Sequence, residues 1–211
     1  GRRSSARSQL GASQLIKIAG YEVKEKIGAG GFATVYKALR KADGEPVAIK
    51  VISPKVIKGE KARQAALREI ECLKKLHHPN LVSFLDSGEV ENTLYCVMEY
   101  CPGGTAADWA GRCGGKLTVE QALPVLLQSL RALAYIHVMG YVHRDLKPAN
   151  ILISGPGGEL EIKISDFGLA KKYETAGQSY ITGKHFIAGS CRFMPPEQVA
   201  DFLHAGPPAD V

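Results

Sequence analysis

Cysteines are few in this chain, and no two of them stand at a Cys-x-x-Cys or zinc-binding spacing. The five, Cys72, Cys96, Cys101, Cys113 and Cys191, are odd in number, so neither a disulfide framework nor a structural metal cluster is expected. A reducing, cytoplasmic setting fits such a chain best. A long apolar run is also missing. The greasiest stretch, 123–136, is broken by Gln128 and Arg131 and is too short to span a bilayer, so no membrane segment is expected. Nor does the body of the chain carry a strong charge of one sign. The formal net charge is +6, but Arg2, Arg3, Arg7 and Lys17 lie in the first 20 residues with no acid among them, which leaves +2 for the rest. So small an excess argues against a nucleic-acid partner. The Arg- and Ser-rich opening has the composition of a transit peptide, but residues 1–19 read better as a basic flexible linker. Because the first residue is Gly1, the natural amino terminus is expected to lie upstream.

What is present has the make-up of a folded domain: 45% apolar and 23% charged residues over 211 positions, enough for one large core or two small lobes. From Tyr21 onward, Tyr21, Val23 and Ile27 share one parity, and Val35 and Leu39 resume it after a glycine cluster. Two strands flanking Gly28-Ala29-Gly30-Gly31-Phe32-Ala33 are therefore predicted. Glycine suits a phosphate-binding turn, because amides without a Cβ in the way can approach phosphate oxygens. The dinucleotide-binding alternative needs a helix after the loop, whereas Thr34-Val35-Tyr36-Lys37 has strand composition. Pro46-Val47-Ala48-Ile49-Lys50-Val51-Ile52 reads as a third strand, with Lys50 on the face of Ala48 and Ile52. A lysine on an apolar face needs an anionic partner. The following helix offers one: Ala62, Ala66, Glu69, Leu73 and Leu76 form a stripe whose only charge is Glu69, and Glu69 is the expected partner of Lys50. Pro79 should end that helix near His77-His78. Strands are expected over 81–85 and 93–98, and the glycines of Cys101-Pro102-Gly103-Gly104 then mark a boundary between a β-rich half and a helical half.

In the second half, Thr118 with Gln121 forms a capping box. It opens a helix with Leu123, Leu126, Leu130, Leu133 and Ile136 on one side, whose regular part is expected to begin at Pro124. The helix leads into His143-Arg144-Asp145-Leu146-Lys147-Pro148-Ala149-Asn150, too polar for a core and too ordered for a linker. Strands at 151–153 and 160–164 should make a hairpin. Such a hairpin would set Asn150 beside Asp166, an amide oxygen next to a carboxylate, which suits magnesium. From Leu169 to Cys191 no periodicity is sustained, and the stretch holds Thr175, Ser179, Tyr180, Thr182 and Ser190.

These motifs, in this order, resemble those of the eukaryotic-type serine/threonine protein kinases over residues 21 to about 200. The glycine loop matches Gly-x-Gly-x-x-Gly-x-Val, with Ala33 for the third glycine. Val47-Ala48-Ile49-Lys50 matches as it stands, as do the 143–150 catalytic loop and Asp166-Phe167-Gly168. Met194-Pro195-Pro196-Glu197 stands where Ala-Pro-Glu is usual, a spelling similar to that of bacterial members. The resemblance implies an α+β, bilobal fold, with a kinase domain over 20–211 divided into an N-lobe (20–100) and a partial C-lobe (101–211). It implies ATP and Mg²⁺ as cofactors and transfer of the γ-phosphoryl group to Ser or Thr of a protein, with a homodimer as the setting for trans-autophosphorylation. Asp145 would be the base, Lys147 would contact the γ-phosphate, and Lys50 would be held by Glu69; Asn150 and Asp166 would take the metal. ATP would be lined by Ile27, Gly28, Ala29, Gly30, Gly31, Phe32, Ala33, Thr34, Val35, Ala48, Lys50, Met98, Glu99, Cys101 and Leu152, with the backbones of Glu99 and Cys101 on the adenine edge. Arg144 would receive an activation-loop phosphate. Ser190 would touch the base and Lys147.

Asp210 matches the aspartate that supports the backbone around His143 and Arg144. Since the sequence stops one residue later, a fragment with weak stability and activity is expected. Two alternatives belong to other classes. A pseudokinase scaffold would have lost the lysine, the base or the metal aspartate, and all three are present. A kinase-fold small-molecule phosphotransferase would lack the Pro-Pro-Glu segment and the Arg144 and Lys147 flanks.

Overall fold

The computed structural model of the chain describes residues 16–31, 33–54, 57, 59–154, 160–166, 171–172, 191–200 and 205–211. Strands β1 (Tyr21–Ala29), β2 (Ala33–Arg40), β3 (Pro46–Ile52), β4 (Phe84–Val90) and β5 (Thr93–Glu99) form an antiparallel sheet in the order β1-β2-β3-β5-β4. Helix α1 (Glu60–Leu73) joins β3 to β4. After Glu99 come helices α2 (Ala106–Arg112), α3 (Val119–Val138) and α4 (Pro196–Ala200), with the short strands β6 (Tyr141–Val142), β7 (Ile151–Ile153), β8 (Ile162–Ile164) and β9 (Lys171–Lys172). The α+β, two-lobed arrangement expected from the sequence is the one found.

β3 sits at the centre of the sheet, which explains its nearly unbroken apolar sequence. Val47 and Ile49 pack on one face with Ile18, Ala38 and Val97. Ala48, Lys50 and Ile52 take the other, and Ile52 joins a second cluster built on Ala66, Ile70 and Leu94. α1 is thereby seated on β3, β4 and β5. Its buried stripe is Ala62, Ala66 and Ile70, so the anticipated stripe is corrected: Ile70 belongs to it and Leu76 does not. The helix ends at Leu73 because the chain tightens there, with Lys75 N–H donating to Cys72 O and Leu76 N–H to Leu73 O, both three residues back. Leu76 then turns into the core of the lower lobe beside Leu81, Leu133 and Ile136.

The strand anticipated over 81–85 begins three residues later, at Phe84. Leu81 is drawn away by a parallel bridge to Ile164, with Val82 N–H donating to Ile164 O at 3.0 Å. β4 and β5 meet in a two-residue turn in which Glu91 and Asn92 have φ of 48° and 59°, the left-handed pair that suits a tight hairpin.

α2 was not expected. Its start is nevertheless written in the sequence, since Thr105 and Asp108 form a reciprocal capping box. The box at Thr118 and Gln121 opens α3 as predicted, but the helix runs without a break from Val119 and Pro124 lies inside it. Its buried face is Val125, Ser129, Ala132, Leu133 and Ile136, while Leu123, Leu126 and Leu130 are exposed. The predicted face is thus half wrong, because leucines surround the first turns of α3 and cannot say which side turns inward.

The segment after Glu99 is clasped to β7. Gly103 N–H donates to Ile153 O at 3.0 Å and Ile153 N–H to Gly104 O at 2.9 Å. A Cβ at Gly103 would lie 2.7 Å from the Ile153 side chain and 2.8 Å from its carbonyl oxygen. Gly103→Ala is therefore expected to cost about 1–3 kcal/mol by overpacking, at about 2–4 °C of Tm per kcal/mol in a domain of this size. An unchanged calorimetric Tm would show that the segment gives way freely.

Candidate active site

β6 delivers the chain into the 143–147 loop, and a 3-10 turn at Pro148–Asn150 leads on to β7. His143 is fully buried and both its ring nitrogens are used. Nδ1 accepts from Asp145 N–H at 3.2 Å and Nε2 lies 3.0 Å from Ser165 O. Only the neutral tautomer carrying the proton on Nε2 satisfies both contacts. Arg144 has φ of 65° and is held in that left-handed conformation from two sides. Its N–H donates to Asp210 Oδ1 at 2.7 Å, and its carbonyl accepts from Gln198 Nε2 at 2.7 Å.

The loop ends on a compact polar cluster. Lys147 Nζ lies 3.0 and 2.8 Å from the two oxygens of Asp145. Asn150 Nδ2 donates to Asp145 O at 2.8 Å and to Asp145 Oδ2 at 3.1 Å. The Asp145 side chain is only 12% exposed, so its carboxylate is partly desolvated, oriented by two donors, and able to accept a proton from a neighbouring hydroxyl. Because the Asn150 amide nitrogen is committed to Asp145, its oxygen is the atom that a cation would take.

The hairpin of β7 and β8 closes with Ile151 opposite Ile164. Ser165 N–H donates to Asn150 O at 2.8 Å, so Ser165 stands directly across from Asn150 and Asp166 comes one residue later. That corrects the expected pairing by one position. Asp166 has φ of 68°, and its half-exposed carboxylate is ion-paired with Lys50. The pair links β3 to the end of the hairpin. The side chain of Glu69, the expected partner of Lys50, lies outside the described residues.

Lys50, ahead of burial, sets the Asp166 carboxyl below its ordinary range. A carboxyl depressed in the folded state contributes stability that is present above its unfolded pKa and is lost as pH falls through the folded one. Its share is thus complete at neutral pH and disappears only in acid below the usual carboxylate range. Lys50→Met is expected to move the Asp166 titration upward in a carboxyl-carbon NMR experiment; an unmoved titration would rule out Lys50 as the cause.

The sheet register gathers the rest of the expected nucleotide site. Val35 and Cys96 flank Lys50, and Met98 is paired with Ala48, so these side chains share a face. Ala48 and Cys101 are buried, and Ile27 is 44% exposed. Burial, more than the nearby Glu99, raises the Cys101 thiol to about 11, which keeps it an unreactive small apolar group at neutral pH. Leu152 lies on β7 and bridges to Thr105. Gly28 and Ala29 end β1, Ala33 and Thr34 open β2, and Gly30 N–H closes the turn on Ala33 O at 2.9 Å. None of the loop glycines has positive φ, and a Cβ on Gly30 or Gly31 would meet nothing within 4 Å. The turn does not itself demand glycine. The open space is what phosphates would require.

The donors fit magnesium. Asn150 and Asp166 offer hard oxygens, and Mg²⁺ is usually held by one or two carboxylates with substrate phosphates and water completing its shell. Among the described residues no group of three or more His, Cys, Asp and Glu is gathered for a metal, which distinguishes this donor pair from an all-protein cage.

One expectation is revised. Arg144, anticipated as the receiver of a phosphate, is buried, with Nε and Nη2 on Ala205 O at 3.0 and 2.8 Å. The support expected from Asp210 is found, since its carboxylate accepts from the backbone N–H groups of His143 and Arg144. Sequence reasoning missed Gln198 and Lys163. The latter is buried on β8 with Nζ 3.0 Å from Pro79 O and 3.2 Å from Glu99 Oε1, ties that no local pattern announces. Phe32, the 1–15 stretch, Phe167 and Gly168, and Thr175, Ser179, Tyr180, Thr182 and Ser190 lie outside the described residues.

Residues 21–211 match the family model described as protein kinase domain. The chain is 38% identical over 200 residues to maternal embryonic leucine zipper kinase of Danio rerio, covering 94% of this chain and 28% of that protein. It is 35% identical over 186 residues to serine/threonine-protein kinase 1 of Arabidopsis thaliana, covering 88% and 21%. With calcium/calmodulin-dependent protein kinase type 1B of Rattus norvegicus it shares 38% over 151 residues, 72% of this chain and 43% of the relative. The chain thus spans less than half the length of these relatives. With a family match that begins at the first residue of β1 and takes in the Asp145 loop, the Lys50–Asp166 pair and the five-stranded sheet, the chain belongs to the protein kinase domain family.

Proposed function

We propose that this chain is an ATP-dependent serine/threonine kinase domain, which transfers the γ-phosphoryl group of ATP to a Ser or Thr hydroxyl of a protein. The observation that carries the reading is the Asp145 carboxylate, gripped by Lys147 and Asn150 at 2.8–3.1 Å on the loop whose backbone is bonded to the Asp166 segment. Asp145 orients the acceptor hydroxyl and takes its proton. Lys147, beside it, offsets charge on the transferred group, and Lys50 serves the nucleotide phosphates, with Glu69 as its helix partner. Asn150 and Asp166 would hold Mg²⁺, which, when bound, neutralises charge on the β- and γ-phosphates. Ile27, Gly28–Gly31, Phe32, Ala33, Thr34, Val35, Ala48, Met98, Glu99, Cys101 and Leu152 enclose the nucleotide. Such a reaction needs positioning and charge neutralisation rather than a covalent intermediate.

The Lys147-Pro148 spelling and the serine/threonine-kinase relatives support the acceptor class. The Met194-Pro195-Pro196-Glu197 spelling supports a bacterial member. We also propose residues 20–100 and 101–211 as the two lobes, a cytoplasmic location, and homodimerisation for trans-autophosphorylation; no helix of the described residues is long and apolar enough to cross a membrane. Incubation of the chain with labelled ATP and Mg²⁺ should label Ser and Thr of a generic basic protein and leave aminoglycosides and choline unlabelled. Label on the small molecules alone would overturn the reading.

A further inference from the structure

Two amides far apart in sequence meet at the strand that leads to Asp166. Asn80 lies in the segment between α1 and β4, and Gln128 lies in α3. Gln128 Oε1 accepts from Ile162 N–H at 3.0 Å and from Asn80 Nδ2 at 2.9 Å, while its Nε2 donates to Leu160 O at 2.9 Å. Asn80 Nδ2 also donates to Ile162 O at 3.0 Å. The Asn80 carbonyl accepts from Ile164 N–H at 2.9 Å. One edge of β8 is therefore paired with β7; on the other, these two residues take Ile162 N–H, Ile162 O and Ile164 N–H, and Val82 N–H takes Ile164 O.

The residue types are not interchangeable. Leu160 presents an acceptor and Ile162 a donor, so the partner must offer one donor and one acceptor from a single planar group. An amide does so, whereas a carboxylate cannot donate and a leucine offers neither. β8 has only three residues, and its pairing with β7 comprises three residue pairs. So short a ladder specifies its register weakly on its own. A slip of one residue would turn every side chain to the opposite face and carry Asp166 about 3.3 Å along the strand, far outside the ~0.5 Å tolerance of a working site.

We infer that Asn80 and Gln128 are positioning residues which lock the register of β8 and so place the Asp166 carboxylate for Mg²⁺-dependent nucleotide binding. The inference rests on the kinase reading above. Neither residue touches nucleotide or metal; both act through the backbone of β8.

The test compares the unsubstituted chain with Gln128→Leu, which keeps apolar bulk and removes three hydrogen bonds, and with Asn80→Ala. Mg²⁺ is titrated at fixed ATP by thermal shift, and amide hydrogen exchange is followed at Ile162 and Ile164. Each variant is expected to raise the half-saturating Mg²⁺ concentration at least fivefold and to speed exchange at both amides. The double variant should do less than the product of the two, because the singles share the Asn80–Gln128 bond. A purely structural role would lower Tm and leave the Mg²⁺ midpoint where it was, which would overturn the inference. Should Gln128→Leu fail to fold, Gln128→Glu supplies the same readout, since it keeps the acceptor for Ile162 and loses only the donor to Leu160. If the unsubstituted chain shows no Mg²⁺-dependent binding of ATP, the kinase reading falls and this inference with it. If it binds and the variants match it, only this inference falls.

Discussion

Asp145→Asn is expected to lower kcat by about 10²–10⁴-fold, the usual worth of a positioned general base, while the KM for ATP stays near that of the unsubstituted chain. The substitution keeps the shape of the side chain and an oxygen to accept from Asn150 or Lys147. What it removes is the basic carboxylate, whose proton-accepting role arises in the transition state rather than on binding. Equal falls in kcat and kcat/KM are therefore the expected signature. The control is structural. Lys147 would face a neutral amide in a pocket where the Asp145 side chain is only 12% exposed, so some loss of Tm is expected from the lost charge–charge attraction. Lys147→Met separates the two effects, because it strips the cation from Asp145 and leaves the base. A kcat for Asp145→Asn within threefold of the unsubstituted chain would exclude Asp145 as the base, whatever happened to Tm.

Most of this geometry could be read from sequence because the chemistry is carried by residues adjacent in the chain. Asp145, Lys147 and Asn150 fall within six positions, and the hairpin brings Asn150 opposite Ser165, within one residue of the expected Asp166. The central strand was equally plain, since only a doubly covered strand has a sequence like 46–52. What could not be read depended on which of several equivalent options tertiary packing selects. α3 has leucines on more than one side, and the inward face is decided by Gln128 and Ser129 turning toward the interior, which a hydrophobic periodicity counts as the wrong kind of residue. The end of α1 shifted because Leu76 is worth more in the lower core than as another turn of helix. Lys50 also meets a carboxylate from a residue 116 positions away, Asp166, while the side chain of Glu69, the partner read from the helical stripe, lies outside the described residues. Long-range pairings of that kind leave no local trace.

The second large effect is expected at Asp210, whose support of the backbone around His143 and Arg144 the family resemblance anticipated. Its carboxylate is fully buried and accepts from three donors: Oδ2 from His143 N–H at 2.8 Å and from His137 Nε2 at 2.8 Å, Oδ1 from Arg144 N–H at 2.7 Å. Asp210→Ala strands all three in the interior. At about 1–3 kcal/mol for each buried donor left unsatisfied, a loss of at least about 3 kcal/mol is expected, read as a fall in the midpoint of denaturant unfolding. Asp210→Asn should be milder in stability but informative in activity. It keeps one acceptor and turns an NH₂ group toward a donor, so one of the two backbone N–H groups must be released. Either release loosens the backbone at Arg144, whose φ of 65° is a conformation that a non-glycine residue keeps only where its surroundings hold it. Asp145 follows directly. A variant that unfolds at the same denaturant concentration as the unsubstituted chain, and turns over equally fast, would mean that the loop holds its shape through His143, Ser165 and Gln198 alone. If stability falls while kcat in the folded fraction is unchanged, the role of Asp210 is confined to folding. A fall in both is the outcome expected from a carboxylate that ties the 207–210 turn directly to the backbone on which the catalytic base is mounted.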